Sequence, residues 1–459
     1  MNTSEQNNNT PTANTSARQR HPGARQRHPG IRRSTFLKLG VLAALTAIVA
    51  LGCPHPIGIF ASLEEEIPVD EERGVPTGDT MRQMLATETG DDGGGYFYAA
   101  FTSLYVRERG EDRDLSADSP DTDWSQVSKP SGLSDEEVLT SIAQHEVNGD
   151  NRIYAVYAGG NSGSLFYRDA GVGTSSGDWN RISVGDITEN GADKVSKVFS
   201  AGDELIVSVR VEQRSGEGDM YAVYRRESDD TEWGEVATPD DENEVGFVYD
   251  FAYFDDGNGN GDYYLATFRN ILRSDNGWET NGADFKEEVH SGSGPYRDLL
   301  VADIEGTDTL FAAAREAIFS TDSTPDATGD WTEAEISGDD DVQFSAIGYY
   351  PGSEFREDIG AFLIAGTRSN GLYEAEADNG GNFVFREEGA NRVLLGRDGN
   401  FLTTRLSGRG VRSIFVDEDA GTWRSEGPHI FVGAATAGLW RGEVDEDDDP
   451  DNEFLWRRE

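Results

Sequence analysis

Residues 428–459 read PHIFVGAATAGLWRGEVDEDDDPDNEFLWRRE and contain every part of a unit that recurs along the chain. A strand-like run is followed by a turn of small residues, a second run with Trp440, an acidic loop and a third run with Trp456. The same order recurs six times upstream, in copies that end at Trp124, Trp179, Trp233, Phe285, Trp331 and Phe385. Successive ends lie 46 to 71 residues apart, a period typical of propellers and solenoids.

Each repeat predicts four strands, A to D. The candidate A strands are residues 81–89, 138–147, 195–202, 248–255, 297–306, 343–350 and 411–418. The candidate B strands align without gaps as YFYAAF, IYAVYA, LIVSVR, YLATFR, LFAAAR, LIAGTR and IFVGAA, beginning at Tyr96, Ile153, Leu205, Tyr264, Leu310, Leu363 and Ile430. A C strand follows each B strand, and the Trp or Phe at each repeat end belongs to strand D and to the core. Seven such units predict an all-β fold, a seven-bladed β-propeller of four-stranded antiparallel blades over residues 78–459, each blade built from contiguous sequence.

Two connections between strands C and D carry a family resemblance. STD (320–322) followed by GDW (329–331) resembles a stretched Asp-box, and SDNGW (274–278) resembles a contracted one. Asp-boxes are structural hairpins of sialidase-like propellers, so this resemblance implies the fold and makes a sialidase-like glycosidase the enzyme alternative. The Phe-Arg-Ile-Pro signature of that family is absent, and no Tyr–Glu nucleophile pair stands out. The repeat style is also similar to photosystem-assembly-factor propellers, which are binding proteins.

The chain is strongly acidic. Its 459 residues include 86 Asp and Glu against 39 Lys and Arg, of which five are Lys, for a net charge of −47. This composition resembles that of proteins from salt-loving archaea, whose carboxylates keep the surface hydrated. At molar salt the Debye length is about 3 Å, so the charge would not repel partners at long range. The folded part offers no basic stripe, which argues against a nucleic-acid partner.

The N-terminal segments predict export. Residues 1–38 are basic and polar and predict disorder, and residues 39–53 form a short apolar signal region. That region ends in ALGC, which resembles a lipobox in which Cys53 is lipidated and becomes the new N-terminus. Residues 54–77 predict an acidic tether. We therefore expect a lipoprotein on the extracellular face of the cytoplasmic membrane, with an uncleaved signal anchor as the alternative.

Two export pathways are compatible with the N-terminal sequence. Arg32 and Arg33 ahead of FLK (36–38) resemble a twin-arginine signal, although two residues separate the pair from Phe36 where one is usual. The general secretory route is the alternative. Because Cys53 is the only cysteine, disulfides within one chain and cysteine-based zinc sites are excluded.

The stretch DGNGNGD (256–262) predicts a calcium loop. Its alternating oxygen-bearing side chains, with glycine at the sixth position, match the first half of such a loop. The candidate ligands are Asp256, Asn258, Asn260 and Asp262. Thr267 at the twelfth position rules out an EF-hand, and a flexible Gly-Asn turn is the alternative interpretation.

The sixth position of the aligned B strands carries an arginine in four consecutive blades. These residues, named the predicted arc, are Arg210, Arg269, Arg315 and Arg368. They precede the turns that ring one mouth of a propeller channel, and a guanidinium suits carboxylate, sulfate or phosphate. We therefore expect a surface binding or scaffolding propeller that recognises an anionic glycan or an acidic protein loop. Alternatively, each arginine pairs with an acidic neighbour, such as Glu316, in a purely structural envelope protein.

Overall fold

The computed structural model describes Val75 and most of the chain from residue 79 onward. The described ranges are 79–89, 94–109, 124–160, 162–171, 175–188, 193–201, 204–214, 218–227, 232–237, 246–256, 261–274, 285–325, 327–337, 342–352, 360–376, 383–387, 410–417, 428–435, 438–444 and 454–459. Cys53 and the predicted disordered and signal segments lie outside these ranges, as does the predicted tether apart from Val75. No helix within them is long and apolar enough to cross a lipid bilayer.

The described residues form seven sheets in which strands A to D pair antiparallel, and strand A is the first of these four strands in each blade. Blade 1 contains β1 (Gln83–Thr89), β2 (Gly94–Ala100), β3 (Leu104–Arg109) and β4 (Ser125–Val127). Blade 2 contains β5 (Val138–Val147), β6 (Asp150–Gly159), β7 (Ser162–Asp169) and β8 (Asn180–Ile182), followed by the short helix α1 (Val184–Ile187). Blade 3 contains β9 (Lys194–Ala201), β10 (Glu204–Arg214), β11 (Gly218–Glu227) and β12 (Gly234–Ala237).

The remaining blades follow the same order. Blade 4 contains β13 (Val248–Phe254), β14 (Asp262–Thr267), β15 (Asn270–Ser274) and β16 (Phe285–Ser291). Blade 5 contains β17 (Asp298–Ile304), β18 (Thr307–Ala313), β19 (Ile318–Thr321) and β20 (Thr332–Glu333). Blade 6 contains β21 (Glu335–Ser337), β22 (Phe344–Tyr350), β23 (Phe362–Thr367), β24 (Leu372–Glu376) and β25 (Val384–Glu387). Blade 7 contains β26 (Val411–Asp417), β27 (His429–Ala434), β28 (Gly438–Val444) and β29 (Phe454–Arg458). The predicted seven-bladed β-propeller is confirmed.

Two details differ from the sequence prediction. Blade 6 carries a fifth strand, because β21 continues from the outer strand of blade 5 and pairs in parallel with β25. The Glu335 N–H donates to the carbonyl of Phe383 at 3.0 Å, which fixes this crossing. In addition, four of the tryptophans stand one residue before strand D rather than within it: Trp124, Trp179, Trp233 and Trp331.

Among the residues that the structure describes, the core consists of seven hydrophobic clusters, each lying between two adjacent blades. Strand B contributes side chains to the clusters on both faces of its blade, since successive strand residues point in opposite directions. On β23, Phe362 and Ile364 pack toward blade 7, whereas Leu363 and Ala365 pack toward blade 5. Small residues are required near the axis: a Cβ on Gly433 would lie 2.6 Å from a methyl carbon of Met81 in blade 1. The frequent Ala and Gly in strand B therefore reflect convergence of the blades.

The ring closes without exchange of a strand between its first and last blades, as predicted. Strand β29 pairs with β28 in the sheet that begins with β26. Contact with blade 1 is made by side chains, including ion pairs of Arg107 with Glu459 and of Arg109 with Asp417. Strands β5 and β6 of blade 2 are joined by a tight turn, with Asn148 at φ 54° and Gly149 at φ 85°, the left-handed values that such a hairpin needs.

Candidate functional site

One end of the central channel, named here the BC mouth, lies where each strand A begins and each strand B ends. In five blades the pairing of A with B shifts near this end and leaves an extra residue on strand A, a β-bulge. These extra residues are Thr140, Ser196, Tyr249, Ser345 and Arg412. The corresponding residues of blades 1 and 5 are Arg82 and Arg297, whose N–H groups donate to the carbonyls of Ala100 and Ala313. The seven residues form the inner ring of the BC mouth.

An outer ring is formed by the residues that leave strand B. Their N–H groups donate to carbonyls in the segment ahead of strand A: Phe268 to Phe247 at 2.9 Å, Arg315 to Ser293 at 3.4 Å, Arg368 to Gln343 at 2.7 Å and Ala435 to Gly410 at 2.6 Å. The gap-free alignment of the fourth B strand therefore differs from the structure by one residue. Phe268, not Arg269, occupies the position of Arg315 and Arg368.

Four arginines meet at the BC mouth and are named the arginine cluster: Arg297, Arg315, Arg368 and Arg412. Burial, together with the charges of Arg368, Arg412 and Arg315, lowers the pKa of Arg297. Burial and the charge of Arg368 likewise lower the pKa of Arg412. The guanidinium of Arg297 lies 5.6 Å from the centre of the Tyr249 ring, a cation–π contact. Blades 5, 6 and 7 thus bring positive charge together at one place.

Carboxylates contribute little to this cluster. Within the described part of the chain, Arg297, Arg368 and Arg412 form no ion pair, and the buried Nε of Arg297 has no hydrogen-bond partner. Arg368 donates to the side-chain oxygen of Gln343 at 3.4 Å. Arg315 lies 3.3 Å from Glu316, but both side chains are exposed, and exposed ion pairs contribute about 0 to 1 kcal/mol. The cluster therefore keeps donors for a further anion.

The predicted arc is divided by the structure. Arg315 and Arg368 lie in the arginine cluster. Arg210 is half-buried and forms an ion pair with Asp219 at 3.2 Å, which agrees with the alternative of local pairing for this residue. Arg269 is exposed beside Phe268, in the turn between β14 and β15. The alignment of strand B does not predict Arg297 and Arg412, because both lie at the start of strand A.

Below the inner ring, side chains of strand A bond to the next blade around the channel. In four of these bonds a backbone N–H donates to a side-chain oxygen of strand A: Ile142 to Gln83 at 3.0 Å, Val198 to Ser141 at 2.8 Å, Leu299 to Asp250 at 2.8 Å and Ile347 to Asp298 at 2.8 Å. Lys197 donates to the carbonyl of Tyr249 at 3.4 Å. These bonds join blades 1 to 6 through their innermost strands.

Asp250 and Asp298 are also hydrogen-bonded to each other. Burial and the neighbouring Asp250 raise the pKa of Asp298 well above its ordinary value. Burial raises the pKa of Asp250 as well, although the hydrogen bonds that it accepts, among them that from Asp298, oppose the rise. Burial lowers the pKa of the adjacent Lys197. We infer that the pair holds one proton, carried by Asp298 and donated to Asp250.

The Asp298→Asn variant is expected to melt at a higher temperature than the wild type at neutral pH. The folded-state pKa of Asp298 is raised above its unfolded value, so its contribution to stability is complete at acidic pH and is lost as the pH rises through the folded pKa. Asparagine keeps an oxygen for the Ile347 N–H and a donor for Asp250 but cannot ionise. Thermal melts from acidic to alkaline pH measure the effect.

Asp308→Asn is the matched control, since Asp308 is exposed on β18 of the same blade. It should leave both the melting temperature and its pH dependence unchanged. The assignment of a shared proton is wrong if Asp298→Asn keeps the wild-type pH dependence and melts no higher at neutral pH.

The Asp250–Asp298 pair does not have the geometry of a two-carboxylate glycosidase. Such carboxylates are about 5 to 5.5 Å apart in retaining enzymes and about 6.5 to 9.5 Å apart in inverting ones. Here the two side chains are in direct hydrogen-bond contact. This pair therefore gives the glycosidase alternative no support.

The predicted calcium ligands are only partly described, because Asn258 and Asn260 lie outside the described residues. Asp256 accepts hydrogen bonds from the hydroxyl of Thr324 at 3.0 Å and from its N–H at 3.3 Å, and so binds blade 4 to blade 5. Asp262 lies 3.9 Å from Nε of Arg273. Where the structure describes the chain, no group of three or more His, Cys, Asp or Glu residues is placed to hold a metal ion. The calcium loop stays a prediction.

No protein-family model matches the chain, and no curated protein matches it. Similar solved structures include the major Malassezia sympodialis allergen Mala s 1, with 13% identity and a TM-score of 0.38, over 59% of this chain and 83% of that one. A triple arginine-to-alanine mutant of AofleA from Arthrobotrys oligospora has 11% identity and a TM-score of 0.37, over 67% and 86%. An ancestral GH74 enzyme has 13% identity and a TM-score of 0.33, over 84% and 57%. At these values the similarities assign no activity or ligand to this chain.

Proposed function

We propose that this chain is an exported binding propeller that recognises an anionic group of a surface glycan or of an acidic protein loop through the arginine cluster. Lipidation of Cys53 would hold it on the extracellular face of the cytoplasmic membrane. One observation carries the proposal: Arg297, Arg368 and Arg412 meet at the BC mouth, and no carboxylate within the described ranges pairs with them. The chain has 86 acidic residues against 39 basic ones, so a carboxylate partner for each of these arginines would be easy to supply.

The electrostatics of the cluster favour an anion in direct contact. Guanidinium groups that lower each other's pKa repel each other, and a bound carboxylate or sulfate would remove that repulsion. In concentrated salt the charges are screened beyond a few ångströms, so selectivity would come from short, charge-assisted hydrogen bonds. A guanidinium donates such bonds in a planar fork that fits carboxylate and sulfate oxygens.

The double variant Arg368→Ala with Arg412→Ala is expected to weaken anion binding by about 100-fold or more. Each hydrogen bond to a charged group contributes about 1.5 to 3 kcal/mol, and 1.4 kcal/mol corresponds to about tenfold in affinity. Titration calorimetry with oligogalacturonate and with hexaglutamate, in dilute and in molar salt, measures the effect. Melting temperature should change little, because Arg368 is exposed and Arg412 is half-buried.

Arg152→Ala serves as the matched control. Arg152 lies at the start of β6, at the opposite end of the channel, and is within 3.6 Å of Asp150 and 3.8 Å of Asp169. Its removal should leave the affinities unchanged. If the wild type binds neither anion and the double variant unfolds early, the arginines are struts between blades and the binding proposal fails.

A further inference from the structure

Blade 4 differs from its neighbours at both rings of the BC mouth. Blade 5 places arginine in both positions, with Arg297 in the inner ring and Arg315 in the outer ring. Blade 4 places aromatic residues there, Tyr249 and Phe268. The row of side chains along the mouth therefore passes from an aromatic blade to three blades that carry arginine.

Phe268 is held outward by a well-defined turn. Its N–H donates to the Phe247 carbonyl at 2.9 Å, and the adjacent Thr267 hydroxyl donates to the Asn270 carbonyl at 2.9 Å. Its own carbonyl packs against Gly294, where a Cβ would come within 2.5 Å. The side chain is nevertheless 52% exposed, and Tyr253 is the other large hydrophobic residue that the described ranges leave exposed. A phenyl ring exposed on a fixed backbone is available for contact with a partner.

Phe247, whose backbone carbonyl accepts the Phe268 N–H, leads on to the arginine cluster through its ring. The Phe247 ring lies 4.9 Å from that of Tyr249, and the Arg297 guanidinium lies over Tyr249. An apolar contact site thus adjoins positive charges that are spread over three blades. A segment that carries several carboxylates can engage guanidiniums from more than one of these blades at once.

We propose that the BC mouth binds an extended acidic segment of a partner protein, with one apolar side chain of that segment against Phe268 and its carboxylates on the arginine cluster. This inference rests on the proposed function and names its partner. A peptide strand rises about 3.3 Å per residue and alternates its side chains, so it can offer an apolar group and several carboxylates to one row of sites. Arginine with aromatic residues is also the composition enriched at protein interfaces.

The test compares hexaglutamate with hexapeptides in which phenylalanine replaces one terminal glutamate, at either end in turn. One of the two should bind the wild-type propeller about 2- to 12-fold more tightly than hexaglutamate, the gain expected of an aromatic pair. In Phe268→Ala this ratio should fall to one. Tyr253→Ala removes the other exposed aromatic, at the opposite end of β13, and should leave the ratio unchanged.

The outcomes separate this inference from the proposed function. A ratio of one in the wild type, with hexaglutamate bound, overturns the role of Phe268 and leaves the anion site intact. Binding of oligogalacturonate without either peptide overturns the protein partner in favour of a glycan. If none of the three probes binds, the inference and the proposed function both fail. A thermal melt of Phe268→Ala confirms that the variant is folded in each case.

Discussion

Replacing Glu459 by alanine is expected to destabilise the propeller by about 3 to 5 kcal/mol, the range for leaving a buried charge uncompensated. Glu459 forms an ion pair with Arg107 of blade 1, and its other oxygen lies 3.1 Å from Nε of Arg441 in blade 7. It also accepts a hydrogen bond from the indole of Trp124 at 3.1 Å. All three charged side chains are at most 8% exposed, so water cannot take the place of the carboxylate.

Chemical denaturation of both proteins measures this loss, and Glu316→Ala is the matched control. Glu316 pairs with Arg315 on the surface, where removal of one partner changes stability by about 1 kcal/mol or less. A loss no larger than that of the control would show that the closure between blades 1 and 7 does not depend on Glu459.

The closure illustrates what the repeat pattern can and cannot predict. The order of strands in the last repeat predicts that residues 411–418 and Trp456 share one blade, and the sheet β26 to β29 confirms it. Nothing in that pattern singles out Glu459 or Arg107, because a chain with 86 acidic residues offers many equivalent partners. Which of them face each other depends on the curvature of the ring.

The strand that joins blades 5 and 6 cannot be predicted from the repeat pattern, for a related reason. Strand β21 has three residues, Glu335–Ser337, and pairs in parallel with β25. Such a short segment has too few positions to show an alternating pattern. By contrast, the repeat pattern predicts each of the seven A strands to within two residues of its bounds, because each has seven or more residues and recurs in every blade.

The residues of the candidate site also divide into those that the repeat pattern predicts and those that it does not. Arg315 and Arg368 could be predicted because an ungapped alignment of strand B carries them to equivalent positions. Arg412 depends on a bulge in strand A, and a bulge changes spacing without changing residue type. Arg297 stands one residue before strand A of blade 5, which has no bulge, and so lies outside the aligned B strand as well. The alignment assigns the last position of strand B in blade 4 to Arg269 instead of Phe268. This happens because Tyr263 and Tyr264 fit the first position of that strand equally well. The hydrogen bond from Phe268 to Phe247 settles the register.

Of the predicted blade-core aromatics, five of the seven are confirmed as buried. Trp124, Trp179, Phe285, Trp331 and Phe385 are each at most 9% exposed. Trp233 is half-buried, and nothing is described of the Trp456 side chain. The indole of Trp179 donates to the carbonyl of Ser128 at 2.9 Å, and its ring meets that of Tyr157 edge-on at 6.3 Å. These rings fill the wedge between blades and are not free to stack on a ligand.

Truncation of a buried indole should therefore have a large effect on stability. Trp331→Ala and Trp179→Ala are each expected to lower the free energy of unfolding by about 3 to 5 kcal/mol, the range for deleting a buried large aromatic side chain. Trp331 packs against His290 at 5.7 Å, and its buried N–H has no hydrogen-bond partner within the described ranges. Trp331→Phe keeps most of the ring and removes that N–H, so its loss should be smaller than that of Trp331→Ala.

Denaturant titration of these variants and of Trp233→Ala compares buried and half-buried tryptophans within the same propeller. Trp233 is half-buried and has the Arg226 guanidinium 6.0 Å from its ring centre, so its removal exposes less apolar surface and should be milder. The order of loss should be Trp331→Ala and Trp179→Ala together, then Trp331→Phe and Trp233→Ala. If both buried positions tolerate alanine with no loss, the indoles are accessible in solution. They would then be candidates for stacking against a sugar. A glycan ligand would in that case have a contact site other than the BC mouth.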